Sequence, residues 1–285
     1  MKQDPFLKRV FDFFVFSSLF IACCAVLMAY QTVLLFDVPL PQSLIGFVFF
    51  GTVCSYNFHW YLTPPNVGGP TEKVIWNIKN KHIHLGLFFL GLLGAGIFSL
   101  LLLKHWFWLA VTAFVTFLYS APKIPHPLFF HLRKIAVGKT IFLAFAWAHV
   151  TALLPLVVHH THLSDAEIWF VVNRFFFIYA ICILFDYRDR ESDKKDQIRS
   201  LITFLNEPGI DIIFWGSILV FFTTLALLTP YFSFLVLLAL SLPGVLLCLL
   251  YYPSKKNASD YLYYFVLDGL MMLSAPMVVL LKFVR

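Results

Sequence analysis

Long apolar runs alternate with short polar segments along the whole chain. Residues 14–35, 85–103 and 212–228, for example, contain no Asp, Glu, Lys or Arg. Each run is close to the roughly 20 residues that a helix needs to cross about 30 Å of hydrocarbon. Because a backbone inside lipid must satisfy its own hydrogen bonds, such runs are predicted to be helices. The pattern therefore predicts an all-α, polytopic membrane helix bundle.

Proline, glycine and charge clusters divide the chain into about nine transmembrane helices. We treat residues 1–285 as one transmembrane domain, because no segment has the composition of a separate soluble unit. The predicted spans are 11–36, 41–62, 84–103, 105–121, 136–157, 167–186, 209–229, 231–251 and 260–282.

Composition and charge agree with a membrane protein and indicate its orientation. Hydrophobic residues make up 60% of the chain and charged residues 13%, where a soluble domain has about a quarter charged residues. The first apolar run is longer than the core of a cleavable signal peptide. With the N-terminus in the cytoplasm and the C-terminus outside, inner segments hold all of the 21 basic residues except Lys104, Arg174, Lys282 and Arg285. We therefore expect a multi-pass protein of a cell inner membrane, surrounded by membrane lipid, and no nucleic-acid partner.

Three aspartates stand out at the end of the sixth predicted span. If that span continues as a helix, Asp186, Asp189 and Asp193 lie at i, i+3 and i+7 and share one face. Three close carboxylates repel one another unless a cation neutralises them, and Mg²⁺ prefers such oxygen ligands. The alternative is a solvated charged cap, in which the acids pair with the basic residues Arg188, Arg190, Lys194 and Lys195.

The same stretch resembles a known family. The series Asp186-x-x-Asp189-x-x-x-Asp193, followed by Ile198-Arg199-Ser200-Leu201, is similar to the second aspartate-rich motif of UbiA-type intramembrane prenyltransferases. The segment Leu118-Tyr119-Ser120-Ala121-Pro122-Lys123 resembles that family's Tyr-Ser-x-Pro segment, and Leu132-Arg133-Lys134 and Trp147 follow in the same order. Nine helices with both polar motifs facing the cytoplasm, around a central cavity, are the architecture that the resemblance implies.

The resemblance also implies an activity and a set of site residues. Such enzymes transfer a prenyl group from an isoprenoid diphosphate to a small lipophilic acceptor, aromatic or other, with Mg²⁺ as cofactor. Asp186, Asp189 and Asp193 would then bind the metal, with Asp189 and Asp193 as catalytic residues. The expected substrate contacts are Asn57, His59, Tyr61, Tyr119, Lys123, Lys134 and Asp268.

The first aspartate motif departs from the family pattern. It should read Asn-x-x-x-Asp-x-x-x-Asp, but after Asn57 the aspartate positions hold Tyr61 and Pro65. Three functions remain open at this point: a divergent prenyltransferase with one metal cluster, a catalytically inactive protein of the same fold that binds a lipid or isoprenoid, and a transporter or assembly factor.

Two charged residues, Arg174 and Asp268, fall well inside predicted spans rather than near their ends. Arg174 either extends to the outer interface or serves a function within the membrane. Asp268 either lines the cavity or forms a hydrogen bond to a neighbouring helix. The histidines His159, His160 and His162 are expected to lie on a solvated outer loop.

Overall fold

In a computed structural model of the protein, residues 6–39, 41–63, 71–124, 126, 129, 139–195 and 200–283 are described. Over these ranges the chain forms helices and no β-strands, which confirms the all-α class. The α-helices are α1 Phe6–Phe16, α2 Leu19–Leu35, α3 Gln42–Leu62, α4 Glu72–Lys79, α5 Lys81–Leu101, α6 Trp106–Ser120, α7 Lys139–Ala148, α8 Leu154–Val157, α9 Asp165–Lys195, α10 Leu201–Phe204, α11 Glu207–Leu227, α12 Phe234–Lys256, α13 Asp268–Met272 and α14 Ser274–Phe283.

Short non-α segments interrupt or join several helices. A π-helix at His149–Leu153 joins α7 to α8, and a second π-helix at Leu262–Leu267 leads into α13. Single 3₁₀ turns at Leu103–His105 and Ala121–Lys123 flank α6. Such π segments insert one extra residue per turn and so change which side chains face the interior.

Six helical stretches in the described chain are long and apolar enough to cross a membrane. They are 81–101, 140–157, 165–194, 207–227, 234–256 and 262–282. The pair α1 and α2, bent by 58°, makes a seventh if it counts as one span. Helices α3 and α6 occupy the two remaining predicted positions, but the C-terminal half of α3 contains the polar residues Ser55, Asn57 and His59, and α6 has only 15 residues. The structure thus supports a multi-pass membrane protein, and the count of nine spans stays a prediction.

The outer surface of the bundle is apolar, as expected for contact with lipid. Exposed large hydrophobic residues lie on most of the long helices, including Phe89, Leu93, Leu100, Phe107, Leu219, Leu238 and Leu249. The helices α9 and α11 pack against each other, and the buried core includes residues from α2, α9 and α11 such as Met28, Phe177, Phe214 and Phe221.

The break between α1 and α2 is held by a side chain from α3. Ser18 adopts a left-handed conformation with φ of 68°, which is uncommon for a residue other than glycine. The carbonyl oxygen of Ser17 accepts a hydrogen bond of 3.1 Å from Nδ2 of Asn57. A carbonyl at the interrupted helix end, which would otherwise lack a partner, is thus hydrogen-bonded inside the protein.

Helices α3 and α5 pack closely because α5 carries glycines at their contact. A Cβ atom at Gly91 would lie 2.5 Å from the backbone nitrogen of Cys54. Only a residue without a side chain allows this approach of the two backbones.

Candidate functional site

Charged and aromatic side chains from several helices meet at one end of the bundle. This polar end consists of the C-terminal ends of α3, α9 and α12, the short helix α4, the 121–124 segment and the first turn of α11. It contains most of the residues that the sequence predicts for the site.

Helix α9 continues beyond the predicted end of its span and carries the three aspartates. It is unbroken from Asp165 to Lys195, so Asp186, Asp189 and Asp193 do lie at i, i+3 and i+7 of one helix. Asp186 is buried and accepts a hydrogen bond from the hydroxyl of Thr140. Asp193 is also buried, whereas the side chain of Asp189 is 40% exposed.

The charged-cap interpretation describes part of this segment. Arg190 forms an ion pair of 2.7 Å with Glu207, and Lys194 forms one of 2.9 Å with Glu191. These pairs lie at the surface, as a solvated cap requires. A solvated cap does not explain why Asp186 and Asp193 are buried.

No metal-binding group of three is formed within the described ranges. There, no three His, Cys, Asp or Glu side chains come together in a group that could hold an ion. The carboxylates of the series have different partners: Asp186 accepts a hydrogen bond from Thr140, and Asp189 forms an ion pair with Arg188. The predicted Mg²⁺ site therefore stays a prediction, and Asp189 is its most accessible ligand.

Arg188 is the centre of a cluster that joins α9 to the last helices of the chain. Its Nε donates to Oδ1 of Asp189 at 2.9 Å and its Nη2 donates to the hydroxyl of Tyr264 at 2.6 Å. Nη1 lies 3.9 Å from Oδ1 of Asp260. The guanidinium carbon also lies 4.5 Å from the ring centre of Tyr263. Arg188 is thus fixed in position by a carboxylate on each side and by aromatic rings.

Lys73 is buried beside this cluster, at the first turn of α4. Its backbone nitrogen donates to Oδ2 of Asp260 at 2.7 Å. Its Nζ lies 3.8 Å from the ring centre of Tyr264 and 4.1 Å from that of Trp60. Aromatic faces attract a cation but do not accept its N–H groups as a carboxylate or phosphate oxygen would. Within the described chain Nζ has no hydrogen-bond acceptor, although only 3% of Lys73 is exposed.

Burial has an electrostatic consequence for Lys73. Removal from water lowers the pKa of the Lys73 ammonium, and the negative charges of Asp268 and Asp260 offset part of this effect. The nearby Arg188 charge lowers the pKa further. An additional anion at this place would favour the charged form of Lys73.

A second basic group is formed by three residues that the sequence predicts as substrate contacts. Nζ of Lys123 lies 2.7 Å from Nε2 of His59 and donates to the Thr63 hydroxyl at 2.5 Å. The His59 ring stacks on Tyr119 with ring centres 4.7 Å apart. Lys123 also lies 5.6 Å from the ring centre of Trp60, so both basic groups contact the same indole.

The degenerate first motif has a structural role at its first position. Asn57 is fully buried, and its Nδ2 donates to the carbonyl oxygens of Ser17 and Val53. Its Oδ1 lies 2.7 Å from Nδ1 of His84. The ring of Tyr61 contacts a different lysine, with Nζ of Lys81 4.8 Å from its ring centre. Pro65 falls outside the described residues, as does the predicted phosphate partner Lys134.

Asp268 is buried at the start of α13, directly after the π-helix. Its carboxylate is within electrostatic range of Lys73 and Arg188. No hydrogen bond joins it to another residue in the described part of the chain, so the helix-to-helix bond that the sequence left open is not formed there.

The predicted central cavity is not confirmed. One groove of about 190 Å³ is lined by residues of α7, the π-helix at 149–153 and the first half of α9, namely Phe145, Ala148, His149, Leu153, Val171, Val172, Phe175 and Phe176. The described side chains at the polar end are packed against one another.

The sequence did not single out Lys73, Trp60, Tyr264 or Asp260. Lys73 counted only as one of several basic residues on an inner loop. Its neighbour Asp260 is 187 positions away, and no local pattern links the two. Locally, Lys73 is only the second residue of a helix capped by Thr71, whose side chain accepts a hydrogen bond from the Val74 nitrogen, and this position does not reveal its burial.

Comparisons with models of protein families, with curated proteins and with solved structures find no match. The function must therefore be argued from the residues of the polar end.

Proposed function

We propose that this membrane protein binds the diphosphate of an isoprenoid lipid at its polar end, as a UbiA-like protein would. One observation carries the proposal: the cations Lys73, Arg188 and Lys123 are arranged around the rings of Trp60 and Tyr264. A diphosphate carries several negative charges and needs this number of cationic partners. The surrounding apolar helices suit the hydrocarbon tail.

Lys73 is the best-prepared partner for a phosphate oxygen. An ammonium has three N–H donors, and within the described chain none of those on Lys73 has an acceptor. Hydrogen bonds to a charged phosphate are stronger than those between neutral groups, and burial strengthens them further. Lys123 adds a second positive charge beside Trp60, and Arg188, which is paired with Asp189, lies beside Tyr264.

The reaction that this site would serve is prenyl transfer. The bond between the prenyl C1 and the diphosphate oxygen breaks, and the diphosphate leaves with the electron pair. A carbon or oxygen atom of the acceptor then forms a bond to C1 and loses a proton. The cations would stabilise the charge that develops on the leaving group. Since the described carboxylates do not form a three-ligand group, no step is assigned to Mg²⁺, and a metal on Asp189 remains part of the proposal to be tested.

A second candidate is a protein that binds the isoprenoid diphosphate without transferring it. The observation that favours it is the use of Asn57 in helix packing, together with the lack of a carboxylate at Tyr61. Both candidates share the diphosphate site and differ only in turnover.

Binding is tested first, with the purified full-length protein and farnesyl diphosphate, with farnesol as the uncharged control ligand. Lys73→Met keeps the length of the side chain and its contact with the rings but removes the charge. We expect it to weaken diphosphate binding by about tenfold or more, because a charged hydrogen bond is lost. Lys79→Met is the matched control, since Lys79 is exposed on the same helix.

The outcomes separate the candidates. Equal binding by wild type, Lys73→Met and Lys79→Met would refute the diphosphate site. If the site is upheld, a panel of prenyl diphosphates and lipophilic acceptors, with and without Mg²⁺, decides the rest. Product that depends on Lys73 supports the transferase, and tight binding without product supports the second candidate.

A further inference from the structure

A second polar cluster lies in the other half of the bundle, around Arg174 on α9. Arg174 is nine residues from the start of the helix, about 13 Å along its axis. The side chain does not extend to the interface, because it is only 2% exposed and turns into the bundle. Its guanidinium carbon lies 5.1 Å from the ring centre of Phe170 and 5.7 Å from that of Phe177. Arg174 is therefore a cation inside the protein, at membrane depth.

The hydrogen bonds of Arg174 are few for a buried guanidinium. Nη2 donates to Oδ1 of Asn173 at 3.1 Å, and Nη1 lies 3.5 Å from the Ser274 hydroxyl oxygen. Nε has no acceptor, and no carboxylate pairs with Arg174 anywhere in the described ranges. The orientation of Asn173 is fixed, since its Nδ2 donates to the carbonyl oxygen of Phe221 at 2.8 Å.

Gln31 on α2 belongs to the same hydrogen-bond network as Arg174, and its amide nitrogen is a second buried donor without an acceptor. Its Oε1 accepts a hydrogen bond of 3.2 Å from the Ser274 hydroxyl, the group that Arg174 also contacts. Its Nε2 has no partner, although Gln31 is only 1% exposed. Two buried side chains joined through Ser274 thus have donors in excess and a net positive charge.

We infer that Arg174, Gln31 and Ser274 form a binding site for a monovalent anion within the membrane. A negative oxygen or halide would accept from Nε of Arg174 and Nε2 of Gln31 and would neutralise the guanidinium. A water molecule could accept the same hydrogen bonds but would leave the charge uncompensated. A divalent anion would replace one excess charge by another. The ligand is therefore a halide from solution or the carboxylate of a membrane-soluble acid.

This site is independent of the diphosphate site at the polar end, and its test uses other probes. The thermal unfolding of the purified full-length protein is followed at constant ionic strength as isethionate, a bulky anion, is replaced by bromide. A second series adds dodecanoate, with dodecanol as its uncharged control. An anion that binds the folded state raises the unfolding temperature in a saturable way.

We expect wild type to show a saturable rise with bromide or with dodecanoate, and the series that responds identifies the source of the anion. Arg174→Gln should abolish the response. Lys282→Gln should keep it, since Lys282 is an exposed cation paired with Asp37. The site is refuted if wild type responds to neither probe, or if Arg174→Gln responds as wild type does.

A further variant decides the matter if Arg174→Gln does not fold. Gln31→Glu places a carboxylate beside Arg174 within the protein. We expect it to unfold at a higher temperature than wild type in isethionate and to lose the response to added anions. A Gln31→Glu protein with the response of wild type would overturn the inference.

Discussion

The Nε2 atom of His59 lies 2.7 Å from the Nζ atom of Lys123, although 64 positions separate the two residues in the chain. An ammonium can only donate, so Nε2 of the imidazole must be the acceptor. The sequence predicts both residues as contacts of a substrate. In the structure they contact each other, and His59 directs the ammonium of Lys123 toward the shared indole of Trp60.

This arrangement predicts different results for two replacements of His59. His59→Phe keeps a ring against Tyr119 but removes the acceptor, so Lys123 loses one hydrogen bond and keeps the one to Thr63. We expect about fivefold weaker farnesyl diphosphate binding, equivalent to one ordinary hydrogen bond of about 1 kcal/mol. His59→Gln retains an acceptor oxygen and should bind more tightly than His59→Phe. The reverse order, measured by equilibrium binding, would contradict a positioning role for His59.

Replacement of Asp189 tests the Mg²⁺ prediction, because the two interpretations of Asp189 predict opposite changes in diphosphate affinity. Asp189 neutralises Arg188, so Asp189→Asn should free that cation and strengthen diphosphate binding about two- to fivefold without metal, as expected for a partly exposed ion pair. If Asp189 holds Mg²⁺ together with the diphosphate, the same variant must bind more weakly than wild type when Mg²⁺ is present. Titrations with Mg²⁺ and with a chelator distinguish the two results. Glu191→Gln is the control, because Glu191 is an exposed carboxylate of the same helix that pairs with Lys194 at the surface.

A structural role for Asn57 predicts a loss of stability rather than of affinity. Asn57→Leu removes the hydrogen-bond partner of the Ser17 carbonyl and of Nδ1 of His84, which should cost about 1–3 kcal/mol for each buried group. Unfolding in mixed detergent micelles measures this loss, and diphosphate binding is measured on the folded protein. Normal stability combined with lost binding would instead make Asn57 a substrate contact.

The contact of α3 with α5 predicts a contrast between two glycines of α5. Gly91→Ala places a Cβ 2.5 Å from the Cys54 nitrogen and should lower stability by about 1–3 kcal/mol. Gly96→Ala meets no atom within 4 Å and should be neutral or slightly stabilising, because alanine favours the helix. Equal unfolding of the two variants would mean that the backbones are not packed this closely.

Periodicity and hydropathy predict the helices of this protein well, because both are local properties. The spacing of the aspartates predicts one helical face, and α9 does run unbroken through all three. The number of spans is harder to predict. Helix α6 is short, and the C-terminal half of α3 contains polar residues, so whether either helix crosses the membrane depends on how the rest of the bundle packs around it.

The polar end could be predicted only in part. His59, Tyr119 and Lys123 lie together, as the predicted site requires. Lys73 was not predicted, because its environment comes from Trp60 and from residues near position 260. The sequence could not predict that the side chain of Arg174 points into the bundle. A long basic side chain at that depth can point either to the membrane surface or to the protein interior, and its neighbours decide which.

The π-helix at Leu262–Leu267 sets the rotational phase of everything that follows it. Deletion of one residue there would turn the rest of the chain by about 100° around the helix axis. Asp268 would then leave its present buried position, and Ser274 would turn away from Arg174 and Gln31. One local irregularity in the backbone thus aligns the last helix with both polar clusters, although they lie in opposite halves of the molecule.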